Sequence, residues 1–254
     1  MAAMSEIKAI AVIPARKNSS RVPGKNMRDL AGRPLIDYTL RSVKESRHVE
    51  KTIVTSDDQE VLAYTRENYG QNVVSFERRE DLAADDVVTD PVVFHAVISC
   101  LSARELSGYD VVVTLHPTSP IRVPSLIDDC VGRAFSVKWP VMTVTKHNSF
   151  LWGSENPVSN HLDARYYGTL IRQLNGTDRG ISQSFTHKDT YMVETGAVYA
   201  TPVSYLLSRG SRTASKVIGM EVPHSHGVDI NTDEDFETVE CLIKGGKYVW
   251  LQAD

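Results

Sequence analysis

Short runs of β-branched and aliphatic residues alternate with helix-like segments along this chain, and that alternation limits its fold more than any other feature. KAIAVIPA, TIVTS, NVVSF and YDVVVTL read as strands; PLIDYTLRSVKES, QEVLAYTRENYG and PVVFHAVISCLSARE, set between them, read as helices. Strand, helix and strand repeated in this order predict an α/β fold. Its sheet is mostly parallel, with crossover helices covering it in three α/β/α layers. Asp90 ahead of Pro91 has the chemistry of an N-cap followed by a first helical residue, which places a helix at about residues 91 to 104. Thr232 and Asp235 stand at capping-box spacing and start another. In such a sheet ligands bind beyond the carboxyl ends of the strands, so the loops that follow strands are where chemistry is expected.

From about Trp139 to Tyr191 the periodicity fades, and Trp139, Trp152, Tyr166 and Tyr167 stand among Asn, Ser, Gly and His. This stretch reads as an insertion, either an irregular layer closing one side of the sheet or an interface arm. YMVETGAVYAT, KVIGMEV and GVDINTDEDFETVECLIKGG then resume strand and helix signals.

A length of 254 residues fits one large domain carrying an insertion, and 41% hydrophobic with 24% charged residues is enough to bury a core. With 28 Lys+Arg against 32 Asp+Glu there is no basic excess, which argues against a nucleic-acid partner. No apolar run is long enough to cross a membrane, and MAAMSEIKAIAVIPAR lacks the apolar core and cleavage site of a secretory signal, so a cytoplasmic location is expected. Cys100, Cys130 and Cys241 lie far apart with no metal-ligand spacing and read as free thiols.

The loop PARKNSSRVPGKN after the first strand sets Arg16, Lys17, Arg21 and Lys25 among Asn18, Ser19, Ser20, Gly24 and Asn26. A solvated basic loop would need only the charges. Its place after a buried strand, its small hydrogen-bonding residues and a glycine that permits close backbone approach predict a polyphosphate cradle. It carries neither the GxxxxGK[ST] nor the GxGxxG pattern.

AVIPARKNSSRVPGKNMRDLAGRPL resembles the corresponding loop of the acylneuraminate cytidylyltransferases, the CMP-sialic acid synthetases, which are related to the CMP-Kdo synthetases. The resemblance continues in order through TIVTSDD, RREDLAADD, TLHPTSPIR, ETGAVYA and VDINTDEDF. It implies a Rossmann-like nucleotidyltransferase fold in a single domain over 5–254, with 139–191 an inserted arm and dimerisation segment. It also implies CTP as substrate, a Mg2+ requirement, and a homodimer.

Residue by residue, the resemblance assigns Arg16 and Lys25 to the triphosphate and Asn26 to the nucleotide, with Ser19 in the same loop. Arg21 matches an arginine of the Kdo-activating branch and stands in for a lysine that acylneuraminate members often carry where this chain has Ser20. Arg78 falls where the family recognises cytosine, and Val87 and Thr89 where it closes round the base. A fork of donors reads the cytosine carbonyl while backbone carbonyls accept from its amino group. Asp229 matches the family's magnesium-binding aspartate, Asn231 replaces a second acid, and Asp57 is a further candidate ligand; Mg2+ takes few protein ligands when phosphate oxygens complete its shell. Asp233 and Asp235 are expected to serve the helix N-terminus. For the acceptor, His116 replaces a glutamine common in sialic-acid members, and Arg122 is a candidate for its carboxylate, as are Arg165, Arg172 and Lys188 in the arm.

The expected reaction is transfer of CMP from CTP to the anomeric hydroxyl of a sialic-acid-like ulosonic acid with release of pyrophosphate. Arg16, Arg21, Lys25 and Asp229 would carry the catalysis, with His116 or a metal-bound water as candidate base. A Kdo-type acid or a phosphonate as acceptor stays open, as does a non-catalytic CTP-binding regulatory protein.

Overall fold

The computed structural model describes residues 6–17, 21–70, 72–84, 86–147, 152–157, 169–173, 191–246 and 248. In chain order the first elements are β1 (Ala9–Pro14), the short pair β2 (Asp29–Leu30) and β3 (Arg33–Pro34), α1 (Leu35–Lys44) and β4 (Val49–Ser56). Next come α2 (Gln59–Tyr69), β5 (Val73–Glu77), α3 (Thr89–Cys100), α4 (Ala103–Leu106), β6 (Val111–Thr114) and α5 (Pro124–Val137). The chain continues through β7 (Val141–His147), β8 (Trp152–Pro157), β9 (Thr169–Gln173), β10 (Tyr191–Pro202), α6 (Val203–Arg209), β11 (Ile218–Glu221) and α7 (Asp233–Lys244).

Seven strands form one sheet in the order β11-β7-β10-β6-β1-β4-β5. β1 pairs in parallel with β4 and β6, β4 with β5, and β11 with β7, whereas β10 runs antiparallel to β6. β1 is apolar from Ala9 to Ile13 and wholly buried, the pattern of a central strand covered on both faces. Its residues alternate between two cores. Ala9, Ala11 and Ile13 pack with Ile36 and Leu40 of α1 and Ile127 and Val131 of α5. Ile10 and Val12 pack with Val93 and Val97 of α3 and Leu206 of α6. This period of two is what makes the layers three, because each face of the sheet is apolar and demands its own helices. Each fully buried aliphatic side chain contributes about 1.5–3 kcal/mol.

Local chemistry fixes the helix ends. The Asp58 side chain accepts the Glu60 N–H at 3.1 Å and caps α2, and Thr232 and Asp235 form the expected capping box of α7. The expected helix over 91–104 is two helices: α3 ends at Leu101, which is extended, and Ser102 with Glu105 caps α4 anew. Asp90 does not cap α3, whose N-cap is Val88; it lies in the first turn and its carboxylate is engaged by Ser211 and Arg212. Residues 228–231 form no strand, so Asp229 stands on a loop between a 3-10 turn (His224–Gly227) and α7. Cys100, Cys130 and Cys241 are free thiols. Among the described residues no helix is long and apolar enough to cross a membrane.

Two compact units are distinguished, Met1–Thr145 with Glu194–Asp254, and Lys146–Val193. In the second, β8 and β9 pair as an antiparallel ribbon. The expected insertion from Trp139 thus begins while the chain is still in the main sheet, since β7 pairs with β11 from Val141. Arg165 and Lys188 lie outside the described residues, and of Arg172 only the backbone in β9 is described.

Candidate functional site

The loops after β1, β5 and β6 meet the α3 N-terminus and the segment before α7 around a cleft of about 330 Å3. Pro14, Arg16, Arg21, Lys25 and Asn26 come from the first loop, Arg78 from the second, and His116, Pro117 and Thr118 from the third. Thr89, Asp229 and Asn231 complete the polar part of the lining, with Leu82, Ala84, Val87 and Val92 as apolar wall. A cleft outside the carboxyl ends of parallel strands follows from the sheet, because there the strand ends release loops from several positions toward one point.

The first loop is held from behind. The Asn26 side chain is buried and donates to the Arg16 carbonyl at 2.8 Å, while the Asn26 carbonyl accepts from the Ile36 N–H at 3.0 Å. Asn26 therefore ties the two ends of the loop to each other and to α1. Gly24 takes a left-handed φ of 64°, the conformation for which the sequence needed a glycine. Lys25 reaches across and donates its Nζ to the Ile230 carbonyl at 3.2 Å. Burial pulls its ammonium below the ordinary lysine value, the Asp229 carboxylate opposes this, and Arg21 and Arg16 lower it further. A cation crowded by two others is a site that gains from an anion.

Arg78 is buried and donates Nη2 to the Thr55 carbonyl at 2.7 Å. Burial brings its guanidinium down to about 10, with Asp57 opposing and Arg16 adding to the fall. It remains charged at neutral pH. Asp57 does not line the cleft: its carboxylate accepts the Lys17 N–H at 2.8 Å. It serves as an anchor for the first loop and as a counter-charge to Arg78. Ser19, with Asn18 and Ser20, lies outside the described residues.

Asp229 and Asn231 act as a pair. The Asn231 amide donates to Asp229 Oδ2 at 2.7 Å, and its backbone N–H donates to Asp235 Oδ2 at 2.8 Å. Asn231 thus turns its amide nitrogen toward the aspartate, and both side chains line the cleft where a metal ligand was expected. The amide orients the carboxylate that would bind metal. Asp235 serves the helix N-terminus as expected, and Asp233 forms an ion pair with Arg28.

Two expectations for the acceptor change. Arg122 is wholly buried, with Nε donating to the Ala197 carbonyl at 2.6 Å, Nη1 to Thr39 Oγ1 at 3.1 Å and Nη2 to the His116 carbonyl at 2.9 Å. It braces β10, α1 and the loop after β6, and it does not reach the cleft. His116 does line the cleft, but its Nε2 lies 3.2 Å from Arg212 Nη1. Burial first, then Arg212, Arg122 and Lys25, push its imidazole down to about 3. An imidazole held down in this way is neutral near pH 7, and its Nε2 faces a guanidinium rather than the cleft. Sequence reading missed Arg212 altogether. RGSRTASK carries no motif, and its partners Asp90, His116 and Tyr199 are remote in the chain.

Residues 10–133 match the family model described as Cytidylyltransferase. More particularly, the chain is similar to the CMP-N,N'-diacetyllegionaminic acid synthase of Legionella pneumophila, with 40% identity over 127 residues, covering 49% of this chain and 52% of that protein. It is also similar to the N-acylneuraminate cytidylyltransferase of Escherichia coli, at 34% over 124 residues, 49% of this chain and 27% of that one. The chain therefore spans about half the length of the first relative and about a quarter of the second. In fold it resembles a solved structure of CMP:2-keto-3-deoxy-manno-octonic acid synthetase complexed with CTP, with a TM-score of 0.57 at 16% identity over 94% of this chain and 99% of that one.

Proposed function

We propose that the chain is a cytidylyltransferase that transfers CMP from CTP to the anomeric hydroxyl of a sialic-acid-like ulosonic acid and releases pyrophosphate. The observation that carries this reading is the convergence of Arg16, Arg21 and Lys25 with Asp229 and Arg78 on one cleft inside the unit that contains the family match. Both substrates are anions and would repel each other in water. Cations fixed on a rigid loop offset that repulsion and favour the charge that moves onto the leaving pyrophosphate.

In this reading the triphosphate lies along the loop after β1. Arg16, Arg21 and Lys25 contact its oxygens, and Asn26 keeps the loop in shape through the Arg16 carbonyl. The Nη1 donors of Arg78 have no partner among the described residues and are free to read the cytosine carbonyl, with Val87 and Thr89 beside it. Mg2+ would be held by Asp229, oriented by Asn231. Mg2+ takes most of its ligands from phosphate and water, so one carboxylate oriented by Asn231 suffices on the protein side. The ion would supply charge compensation at the α-phosphate. Asp57 does not line the cleft and accepts the Lys17 N–H, so this reading gives the ion to Asp229 instead.

The acceptor proposed is an ulosonic acid, supported by the named relatives, whose acids are legionaminic and acylneuraminic. We further propose a homodimer working in the cytoplasm, where CTP is made. The ribbon of β8 and β9 belongs to the unit Lys146–Val193, and an isolated two-stranded ribbon is marginal without something to pack on. Light scattering giving a monomer mass at all concentrations would remove the dimer.

The deciding experiment is pyrophosphate release with CTP, UTP, ATP or GTP plus Mg2+ against N-acetylneuraminic, N,N'-diacetyllegionaminic and pseudaminic acids, Kdo and simple phosphonates. Release with CTP and one ulosonic acid is expected. Absence of CTP binding by calorimetry would overturn the reading.

A further inference from the structure

Beside the cleft, Arg212 joins three side chains that no motif connects. Its Nε donates to Asp90 Oδ1 at 2.6 Å, and Ser211 Oγ donates to Asp90 Oδ2 at 2.6 Å. Its guanidinium lies 4.3 Å over the Tyr199 ring, and its Nη1 stands 3.2 Å from His116 Nε2. The backbone is held as well, since Thr201 Oγ1 donates to the Arg212 carbonyl at 2.7 Å. Burial pushes the Asp90 carboxyl up, but the hydrogen bonds from Ser211 and Arg212 and the guanidinium charge outweigh it and leave it ionised. The His116 ring in turn sits 5.5 Å from the Tyr199 ring, and the Tyr199 hydroxyl donates to Glu194. Arg212 is therefore held by its carbonyl, its Nε and its guanidinium face while Nη1 stands against one imidazole.

A guanidinium has only donors. The atom it faces must be an acceptor, so Nε2 carries the lone pair and the proton of a neutral imidazole sits on Nδ1. That is the reverse of the tautomer free histidine prefers in water. His116 Nδ1 has no partner among the described residues, and His116 lines the cleft. We infer that Arg212, anchored by Asp90, is a positioning residue that locks His116 as the Nδ1–H tautomer, so that the cleft presents one neutral hydrogen-bond donor that selects an oxygen lone pair on the acceptor. The role in acceptor choice rests on the cytidylyltransferase reading; the tautomer does not. A neutral donor prefers a hydroxyl, carbonyl or carboxylate oxygen and rejects an N–H at the same place, because two facing donors leave both unpaired.

The test is a long-range 1H–15N correlation spectrum of the full chain labelled at histidine nitrogen, with His116 assigned by its loss in His116→Gln. Expected is a pyrrole-type Nδ1 and a pyridine-type Nε2 that hold from pH 8 to pH 5. Arg212→Met should convert the signal to mainly Nε2–H and let the imidazolium appear above pH 5, whereas Arg212→Lys, which keeps a cationic donor, should retain much of the Nδ1–H form. A wild-type signal of Nε2–H or imidazolium above pH 5 overturns the inference even if no variant folds. So does an unchanged signal in a folded Arg212→Met. Addition of CTP with Mg2+ to the same sample separates the two readings: unmoved cleft signals would overturn the function and leave the tautomer standing. With the ulosonic acid that is turned over, Arg212→Met should raise the acceptor KM about tenfold, the worth of one hydrogen bond, and leave the CTP KM within twofold. Equal changes in both would reduce Arg212 to a structural residue.

Discussion

Arg16 and Arg122 are both arginines that follow a sheet strand, yet substitution should separate them cleanly. Arg16 lines the cleft, so Arg16→Ala should lower kcat/KM by at least about a hundredfold, the scale of one lost charge contact in a transition state, with the unfolding midpoint unchanged. Arg122 spends its donors on the Ala197 and His116 carbonyls and the Thr39 hydroxyl. Arg122→Met strands those acceptors in the interior and should cost on the order of 3–5 kcal/mol in urea denaturation, with kcat for whatever still folds much less affected than in Arg16→Ala. At His116 the consequence is one of pH. Its imidazole falls from the ordinary 6.5 to about 3 in the folded chain, so unfolding takes up a proton between those values. The stability this secures is fully present above about pH 6.5 and is lost as pH falls toward 3, at up to about 1.4 kcal/mol per pH unit. His116→Gln should flatten the stability slope between pH 6.5 and 4 by that amount, measured by denaturation at several pH values; an unchanged slope would show that His116 titrates normally.

At the scale of elements, the approach of Gly227 to the sheet sets where Asp229 lies. A Cβ at Gly227 would stand 2.5 Å from Thr145 Cγ2 and 3.2 Å from Thr195 Cγ2, so only a bare backbone lets the turn before Asp229 rest on β7 and β10. Gly227→Ala should destabilise by about 1–3 kcal/mol and also weaken the apparent affinity for Mg2+ in the turnover assay. Loss of stability without any change in metal dependence would separate the turn from the site. What could be read at this scale was whatever chemistry is local. The Thr232 and Asp235 box and the alternation of β1 are written within a few residues, and both stand in the structure. The break between α3 and α4 was equally local, for Ser102 and Glu105 stand at capping-box spacing; the apolar run through Leu101 masked it. Asp90 resembled a cap because its neighbours allow that role, while its actual partner, Arg212, is 122 residues away. Arg122 misled for the same reason, since burial is a property of what folds over a residue and is invisible in its neighbours.

For the whole molecule, ligand binding and stability are one quantity. CTP with Mg2+ at a hundred times its Kd should add about 2.7 kcal/mol to the unfolding free energy, read as a rise in melting temperature that ATP and GTP do not match. Equal stabilisation by all three nucleotides would leave the base-reading role of Arg78 unsupported. The sheet order also has a history in time. β1 is an inner strand, flanked by β4, some forty residues later, and by β6, about a hundred residues later. At ribosomal speeds of roughly 5–20 residues per second, the most apolar strand waits several seconds or more for its second neighbour. The basic loop is translated at the outset of that wait and Asp229 long after it. During synthesis the cell therefore holds a nascent chain with a greasy, half-clothed strand and half of a nucleotide site, a natural client for chaperones.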